Sequence, residues 1–215
     1  YSRTKLAAFE GFIQTCEKLR VISKQKNTKV EEFVLGLLAP NVDARVFEIV
    51  SYAILKYFYH YQTVYFGFQL DDLEKSPLIL YKTGRTNAND GGIDFVMKPL
   101  GRFFQVTETL DVRKYFLDID KIERYPITFV IKSSESVGIL SRKLREGAER
   151  QYAIKAIVDK YMACIEEIIN ISMLQERFRS SVAQGYLSSI MDEIVRQSKV
   201  EFNYEEPDDE DDEDE

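Results

Sequence analysis

The chain has 215 residues, of which 45% are hydrophobic and 13% aromatic, enough to bury one sizeable core. Its net charge of −7 comes from one end: residues 205–215 hold ten acids and no basic residue, and the remainder carries +3. No apolar run approaches the roughly 18 residues of a membrane-spanning helix, so none is expected. Cys16 and Cys164 match no metal or redox spacing, which is typical of core residues in a cytoplasmic protein.

The acidic segment 205–215 is expected to be a disordered tail, because its like charges repel and it holds nothing apolar to bury. Two roles are open for it. It can solvate the protein, or it can mimic a phosphate backbone and compete for a basic cleft. The charge of +3 on the rest of the chain makes that competition electrostatically reasonable.

The N-terminal part of the chain repeats apolar residues at spacings of three and four, the pattern of amphipathic helices. Thr28 and Glu31 form a capping box, in which each side chain satisfies a free backbone N–H of the first turn. Asn41 or Asp43 can cap the helix that follows. Three helices are therefore predicted, over residues 3–22, over residues 28–38, and from the second cap through Tyr57.

The apolar period then changes to that of strands, with a hairpin turn at Pro99-Leu100-Gly101. Further helices are expected around these strands, including one long core helix from Ile154 to Ile169 and a last helix after Gly185. The predicted strands are residues 63–68, 78–81, 93–98, 102–107 and 127–131, and the helices between them are 111–124 and 136–150.

This alternation of helices and strands predicts an α/β sandwich with a central mixed sheet and added N- and C-terminal helices. The expected organisation is an N-terminal helical segment packed on the core (1–40), the core (41–150), C-terminal helices (151–200) and the acidic tail (201–215).

The most informative stretch runs from Asn89-Asp90-Gly91-Gly92-Ile93-Asp94 to Phe104-Gln105-Val106-Thr107. The Gly-Gly bend lets a backbone or a phosphate approach Asp94 closely. Gln105 is polar within an otherwise apolar strand, where its amide is costly unless it is paired. Upstream, Glu48 is the one acid within the apolar helical run that surrounds it.

A helix Glu48, a strand Asp94 and a strand Gln105 resemble the parts of the PD-(D/E)XK nuclease superfamily, the fold of type II restriction enzymes and Mrr-like enzymes. The resemblance implies a restriction-endonuclease-like sandwich and a site-specific deoxyribonuclease that cleaves double-stranded DNA as a homodimer. It implies Mg²⁺ as cofactor. The implied metal ligands are Asp94, Gln105, the Val106 carbonyl and Glu48, of which Asp94 and Gln105 are also catalytic.

The family's strand motif ends on a lysine that helps to activate the nucleophilic water, and Thr107 stands at that position. Three alternatives are open. The lysine has moved, to Lys98 or Lys132; or Thr107 acts together with Glu108; or the protein no longer cuts and is a catalytically inactive DNA-binding or protein-interaction member of the same fold.

Basic and amide side chains form two candidate DNA contacts, a polar loop near residue 85 and the predicted helix 136–150. Arginine pairs with guanine and asparagine with adenine in the major groove, and cations position phosphates. No phosphate-binding glycine loop is present, so no nucleotide cofactor is expected. The candidates are Lys82, Arg85, Asn87 and Asn89 in the loop, and Arg142, Lys143 and Arg145 on the helix.

Overall fold

The computed structural model describes residues 3–24, 27–84, 93–121 and 124–204, and it is an α/β protein. The predicted contacts of Arg85, Asn87 and Asn89, the Gly91-Gly92 bend and the acidic segment 205–215 lie outside the described residues. No helix within the described ranges is long and apolar enough to cross a membrane.

Three helices precede the main sheet, as predicted: α1 (Arg3–Ile22), α2 (Thr28–Gly36) and α3 (Ala44–His60). The capping-box prediction is wrong, because Asn27 caps α2 and its side chain accepts from the N–H of Lys29. Of the two candidate caps for α3, Asp43 is the one used, and its Oδ1 accepts from the N–H of Arg45 at 2.9 Å.

A two-stranded antiparallel sheet follows, made of β1 (Thr63–Phe66) and β2 (Glu74–Pro77). Strand β2 was not predicted, because the sequence Glu-Lys-Ser-Pro has no apolar alternation. Phe68 and Leu70, in the segment between the two strands, are highly exposed.

The main sheet is mixed and has the strand order β3-β4-β5-β6-β7. The first three strands pair antiparallel and the last three parallel. The predicted hairpin between β4 and β5 is confirmed. The strands are β3 (Ile79–Lys82), β4 (Phe95–Lys98), β5 (Arg102–Thr107), β6 (Ile127–Ile131) and β7 (Ile165–Ile169).

Helices connect and follow the parallel strands: α4 (Val112–Lys121) before β6, α5 (Val137–Gln151) and α6 (Lys155–Cys164) before β7, and then α7 (Ile171–Ala183) and α8 (Leu187–Phe202). The long helix predicted over residues 154–169 is wrong, because the chain leaves the helix at Cys164 and forms β7. A short run rich in isoleucine fits a buried strand as well as a helix, and pairing with β6 decides it. Residues 151–200, predicted as helices alone, therefore supply the fifth strand.

The sheet separates two hydrophobic cores, and each core defines one face. We call the side that packs on α1–α3, α7 and α8 the α3 face, and the side that packs on α4–α6 the α5 face. Strand alternation assigns the β5 side chains: Phe104 lies in the core of the α3 face, and Phe103 packs against the core of the α5 face.

Candidate functional site

One edge of the sheet collects the carboxyl ends of β3, β5, β6 and β7 and the beginning of β4. In open α/β sheets, ligands bind outside the carboxyl ends of the strands. Four residues named from the sequence lie where these strands begin or end, namely Lys82, Asp94, Thr107 and Lys132. This carboxyl edge is therefore the candidate site.

Glu48 and Lys82 form a buried ion pair on the α3 face. Lys82 Nζ lies 2.6 Å from Glu48 Oε1, and the two side chains are only 8% and 7% exposed. Lys82 Nζ also donates to the Gly84 carbonyl at 2.7 Å. The predicted DNA contact of Lys82 is therefore wrong for this structure, because the ammonium group lies beneath α3 rather than at the surface.

Glu108 and Lys132 form a second pair near the beginning of α3. Lys132 Nζ lies 2.5 Å from Glu108 Oε1, donates to the Val42 carbonyl and lies 5.8 Å from the centroid of the Phe47 ring. The Lys132 side chain is 4% exposed, whereas Glu108 is 46% exposed and keeps contact with solvent. These contacts put the pair on the same face as Glu48.

Asp94 bridges the beginning of β4 and the end of β5. Its Oδ2 accepts from the backbone N–H of Val106 at 2.7 Å, and its own N–H donates to the Phe104 carbonyl at 2.9 Å. In a strand, the N–H and C=O of one residue point to the same neighbouring strand. The carbonyl of Val106 therefore points toward Asp94.

Gln105 and Thr107 lie on the opposite face of the sheet from Glu48. Their partners in β6 are Phe129 and Ile131, and both belong to the core of the α5 face. Gln105 is 7% exposed and Thr107 is 4% exposed. The prediction that Glu48 and Gln105 share one cavity is therefore wrong. Gln105 and Thr107, two residues apart on β5, both point away from α3.

Lys98, one of the two candidates for a relocated lysine, lies at the far end of β4. Its exposed ammonium group lies over the ring of Tyr81, 4.9 Å from the centroid. Four residues of extended strand separate it from Asp94, roughly 13 Å. Lys98 is therefore excluded from the carboxyl edge, and Lys132 remains the lysine that lies beside a candidate acid.

The basic residues predicted to contact DNA on helix 136–150 lie on α5. Arg145 pairs with Asp159 at 2.7 Å, and Lys143 pairs with Glu135 at 2.5 Å. Arg142 is exposed, and it has no ion-pair partner among the residues that the structure describes. Of the three, Arg142 has the charge that is most accessible to a phosphate.

Sequence reasoning missed Asp118, which is buried on α4 next to the core of the α5 face. Its Oδ2 has no hydrogen-bond partner in the described part of the chain, although Lys121 Nζ lies 3.5 Å from Oδ1. Burial raises the pKa of the Asp118 carboxyl, and the positive charges of Lys121 and Lys114 oppose the shift. The spacing of Tyr115, Asp118 and Lys121 along the helix was the available signal.

The carboxylates of the carboxyl edge are oxygen ligands of the kind that Mg²⁺ prefers, but they do not form a complete set of ligands. No three His, Cys, Asp or Glu side chains in the described ranges lie close enough together to hold a metal ion. Mg²⁺ needs only one or two carboxylates because it keeps several waters. Asp94, half-buried, and Glu108, partly exposed, are oxygen donors of that kind.

Comparison with known proteins assigns no relative. No protein-family model matches the chain, and no match was found among curated proteins or solved structures.

Proposed function

We propose that the protein is a metal-dependent endonuclease that cleaves double-stranded DNA, as a type II restriction enzyme does. The observation that carries the proposal is the meeting of acids and lysines at one sheet edge. A helix acid, Glu48, pairs with Lys82 at the end of β3, a second acid, Asp94, stands just before β4, and Glu108 pairs with Lys132 just after β6. The order of elements, α3-β3-β4-β5-α4-β6 in the main sheet, is the one that the resemblance implies.

Asp94, Glu108 and the Val106 carbonyl would hold Mg²⁺, which when bound supplies an activated water and neutralises charge on the phosphate. Glu48 does not need to be a ligand in this scheme, because its carboxylate holds Lys82 in place. Gln105 is left out of the ligand set, since its side chain lies on the other face.

Lys132 takes the role that the family gives to the lysine of its strand motif. Its ammonium group is held by the Val42 carbonyl and by Glu108, so it is fixed beside one of the residues that would hold the metal. A positive charge there stabilises a hydroxide and the developing charge on the phosphate. Thr107 cannot supply that charge, and it faces the core of the α5 face.

A cut through both strands of a palindromic site requires two such edges, so the proposal includes a two-fold homodimer. Arg142 on α5 would add a phosphate contact outside the cleavage site.

The test is cleavage of supercoiled plasmid in Mg²⁺ and in EDTA by the parent protein and by Asp94→Asn. We expect nicked and linear DNA in Mg²⁺ only, and a rate for Asp94→Asn lower by roughly 10²-fold or more. Asp192→Asn, which changes an exposed acid in the ion pair with Arg20, is the matched control and should cut like the parent. Cleavage that is equal for parent and Asp94→Asn would refute the proposal.

A second candidate function is DNA binding without cleavage. The ion pairs favour it, because both Glu48 and Glu108 already have a lysine within 2.6 Å, which neutralises charge that a metal would otherwise balance. In that case the plasmid stays intact in Mg²⁺, Mn²⁺ and Co²⁺, while a band shift still reports binding.

A further inference from the structure

A pocket lies on the α5 face, near the amino ends of β6 and β7. It is therefore at the opposite end of the sheet from the candidate site. It has a volume of about 260 Å³. Nothing in the proposed cleavage reaction uses it. The described residues that line it are Arg124, Tyr152, Ile157, Lys160 and Tyr161, which combine aromatic and cationic side chains.

The aromatic wall of this pocket is formed by Tyr152 and Tyr161, whose rings are held by stacking and by a hydrogen bond. Tyr161 stacks on Phe116 with ring centroids 4.3 Å apart and planes 9° apart, and Tyr152 lies 20° from the plane of Tyr161. The Tyr161 hydroxyl donates to Asp120 Oδ2 at 2.6 Å, which fixes the ring. That hydrogen bond raises the pKa of Tyr161. Because Tyr161 is 8% exposed and packed on Phe116, the partly exposed Tyr152 is the ring of this wall that a planar group can reach.

Two cations border the wall. Lys160 is exposed and has no ion-pair partner among residues 3–24, 27–84, 93–121 and 124–204. Arg124 lies over the Tyr161 ring, 5.6 Å from the centroid, and its Nε is 3.6 Å from Asp120. Arg124 adopts a left-handed φ of 64°, where glycine is favoured and a larger residue costs about 1 kcal/mol. This conformation closes the end of α4, where the Arg124 N–H donates to the Ile119 carbonyl at 2.9 Å.

We propose that this pocket binds a nucleotide, with the base on the Tyr152 and Tyr161 wall and the phosphate at Lys160 and Arg124. Base stacking on an aromatic side chain contributes roughly 1–3 kcal/mol without regard to sequence. The pocket volume is slightly below the range of about 300–1,000 Å³ for drug-sized ligands, which suits one nucleotide rather than a larger cofactor. The nucleotide can be free, or it can be the 5′-phosphorylated end of a single strand.

The proposal does not depend on DNA cleavage, because none of the lining residues lies at the carboxyl edge. Titration calorimetry with adenosine 5′-monophosphate, adenosine and inorganic phosphate tests it directly. We expect the monophosphate to bind at least ~10-fold more tightly than either part, since stacking and charge act together.

Two variants separate the base contact from the phosphate contact. Lys160→Ala should weaken the monophosphate about fivefold or more and leave adenosine unchanged, because only the charge is lost. Tyr152→Leu keeps apolar bulk but removes the ring, so it should weaken both ligands about fivefold. Lys155→Ala, an exposed lysine on the same helix outside the lining, is the matched control and should change neither affinity.

Thermal unfolding of each variant checks that the fold is intact, and Arg124→Asn gives a second charge deletion that tolerates the left-handed backbone. A 5′-phosphorylated oligothymidylate that binds better than the free monophosphate identifies a strand end as the ligand; the reverse order identifies a free nucleotide. The proposal is overturned if the parent does not prefer the monophosphate over adenosine, or if Lys155→Ala and Lys160→Ala weaken it equally.

Discussion

The two faces of the main sheet carry different kinds of polar side chain near the carboxyl edge. On the α3 face, Glu48 and Glu108 are each paired with a lysine at the carboxyl edge. On the α5 face, Gln105 and Thr107 are uncharged and packed beside Phe129 and Ile131. Buried charges are stable only when they are paired, whereas buried amides and hydroxyls need only hydrogen bonds. At the carboxyl edge, the paired charges therefore lie on the side beneath α3.

Strand β5 shows why this difference is hidden in the linear sequence. Successive residues of a strand point to opposite faces, so Gln105 and Thr107 cannot share a face with Val106. The carboxylate that reaches the α3 side of the edge is Glu108, one residue beyond the strand. The acid at this edge is therefore Glu108, which follows the Gln105-Val106-Thr107 segment that the sequence indicated.

The largest expected effect tests the buried pair of the α3 face. Lys82→Met leaves the Glu48 carboxylate buried without its cation, so the free energy of unfolding should fall by about 3–5 kcal/mol. Lys143→Met is the matched change on the α5 side, where the pair with Glu135 is 49% and 38% exposed, and it should cost no more than about 1 kcal/mol. Urea unfolding at pH 7 measures both.

The double variant Glu48→Gln with Lys82→Met should recover part of the lost stability, because no unpaired charge then remains buried. If Lys82→Met and Lys143→Met lower the unfolding free energy equally, the distinction between the two faces does not hold.

A smaller effect is expected on the α5 face, from the raised pKa of Asp118. The folded state prefers the protonated carboxyl, so the stability of the parent falls as pH rises from the ordinary aspartate pKa through the raised one. Asp118→Asn cannot lose a proton there. It should be more stable than the parent by about 1 kcal/mol at pH 7, with the difference vanishing near about pH 3.

Urea midpoints across that pH range check the sign. A stability difference between Asp118→Asn and the parent that grows toward acidic pH would contradict the assignment.

Much of the fold could be predicted because it depends on local periodicity. The helix over residues 3–22 and the β4–β5 hairpin are confirmed, since amphipathic spacing and Pro-Leu-Gly turn chemistry are local signals. Strand β7 could not be predicted, because five residues rich in isoleucine become a strand only through pairing with β6. Strand β2 has polar residues and is held by its pairing with β1.

The candidate site was predicted in part for the same physical reason. The positions of Glu48 and Asp94 follow from their elements, so both are found near the carboxyl edge. Which lysine reaches an acid depends on sheet order, which one sequence does not reveal. The sequence therefore predicts Lys82 as a DNA contact, although it is buried against Glu48. It also gives Lys98 as a candidate for the relocated lysine, although Lys98 lies at the other end of β4.

The smallest expected effect concerns the cations of α5 and DNA affinity. Arg142→Ala should weaken binding to duplex DNA a few-fold and reduce the slope of log affinity against log salt by about 1, because one phosphate contact is lost. Arg145→Ala should have less effect, since Asp159 already neutralises that guanidinium. Fluorescence anisotropy at several salt concentrations measures both, and equal losses would show that the ion pair with Asp159 does not limit Arg145.

We place the residues that take part in cleavage on the α3 face of the carboxyl edge. Two neighbouring residues that point to opposite faces, Thr107 and Glu108, test this placement. The measurement is the rate of Mg²⁺-dependent plasmid cleavage by Glu108→Gln and by Thr107→Val, each nearly isosteric with the parent residue. We expect a loss of about 10²-fold or more for Glu108→Gln and a change within about threefold for Thr107→Val. A large loss for Thr107→Val with parent-like cleavage by Glu108→Gln would contradict it.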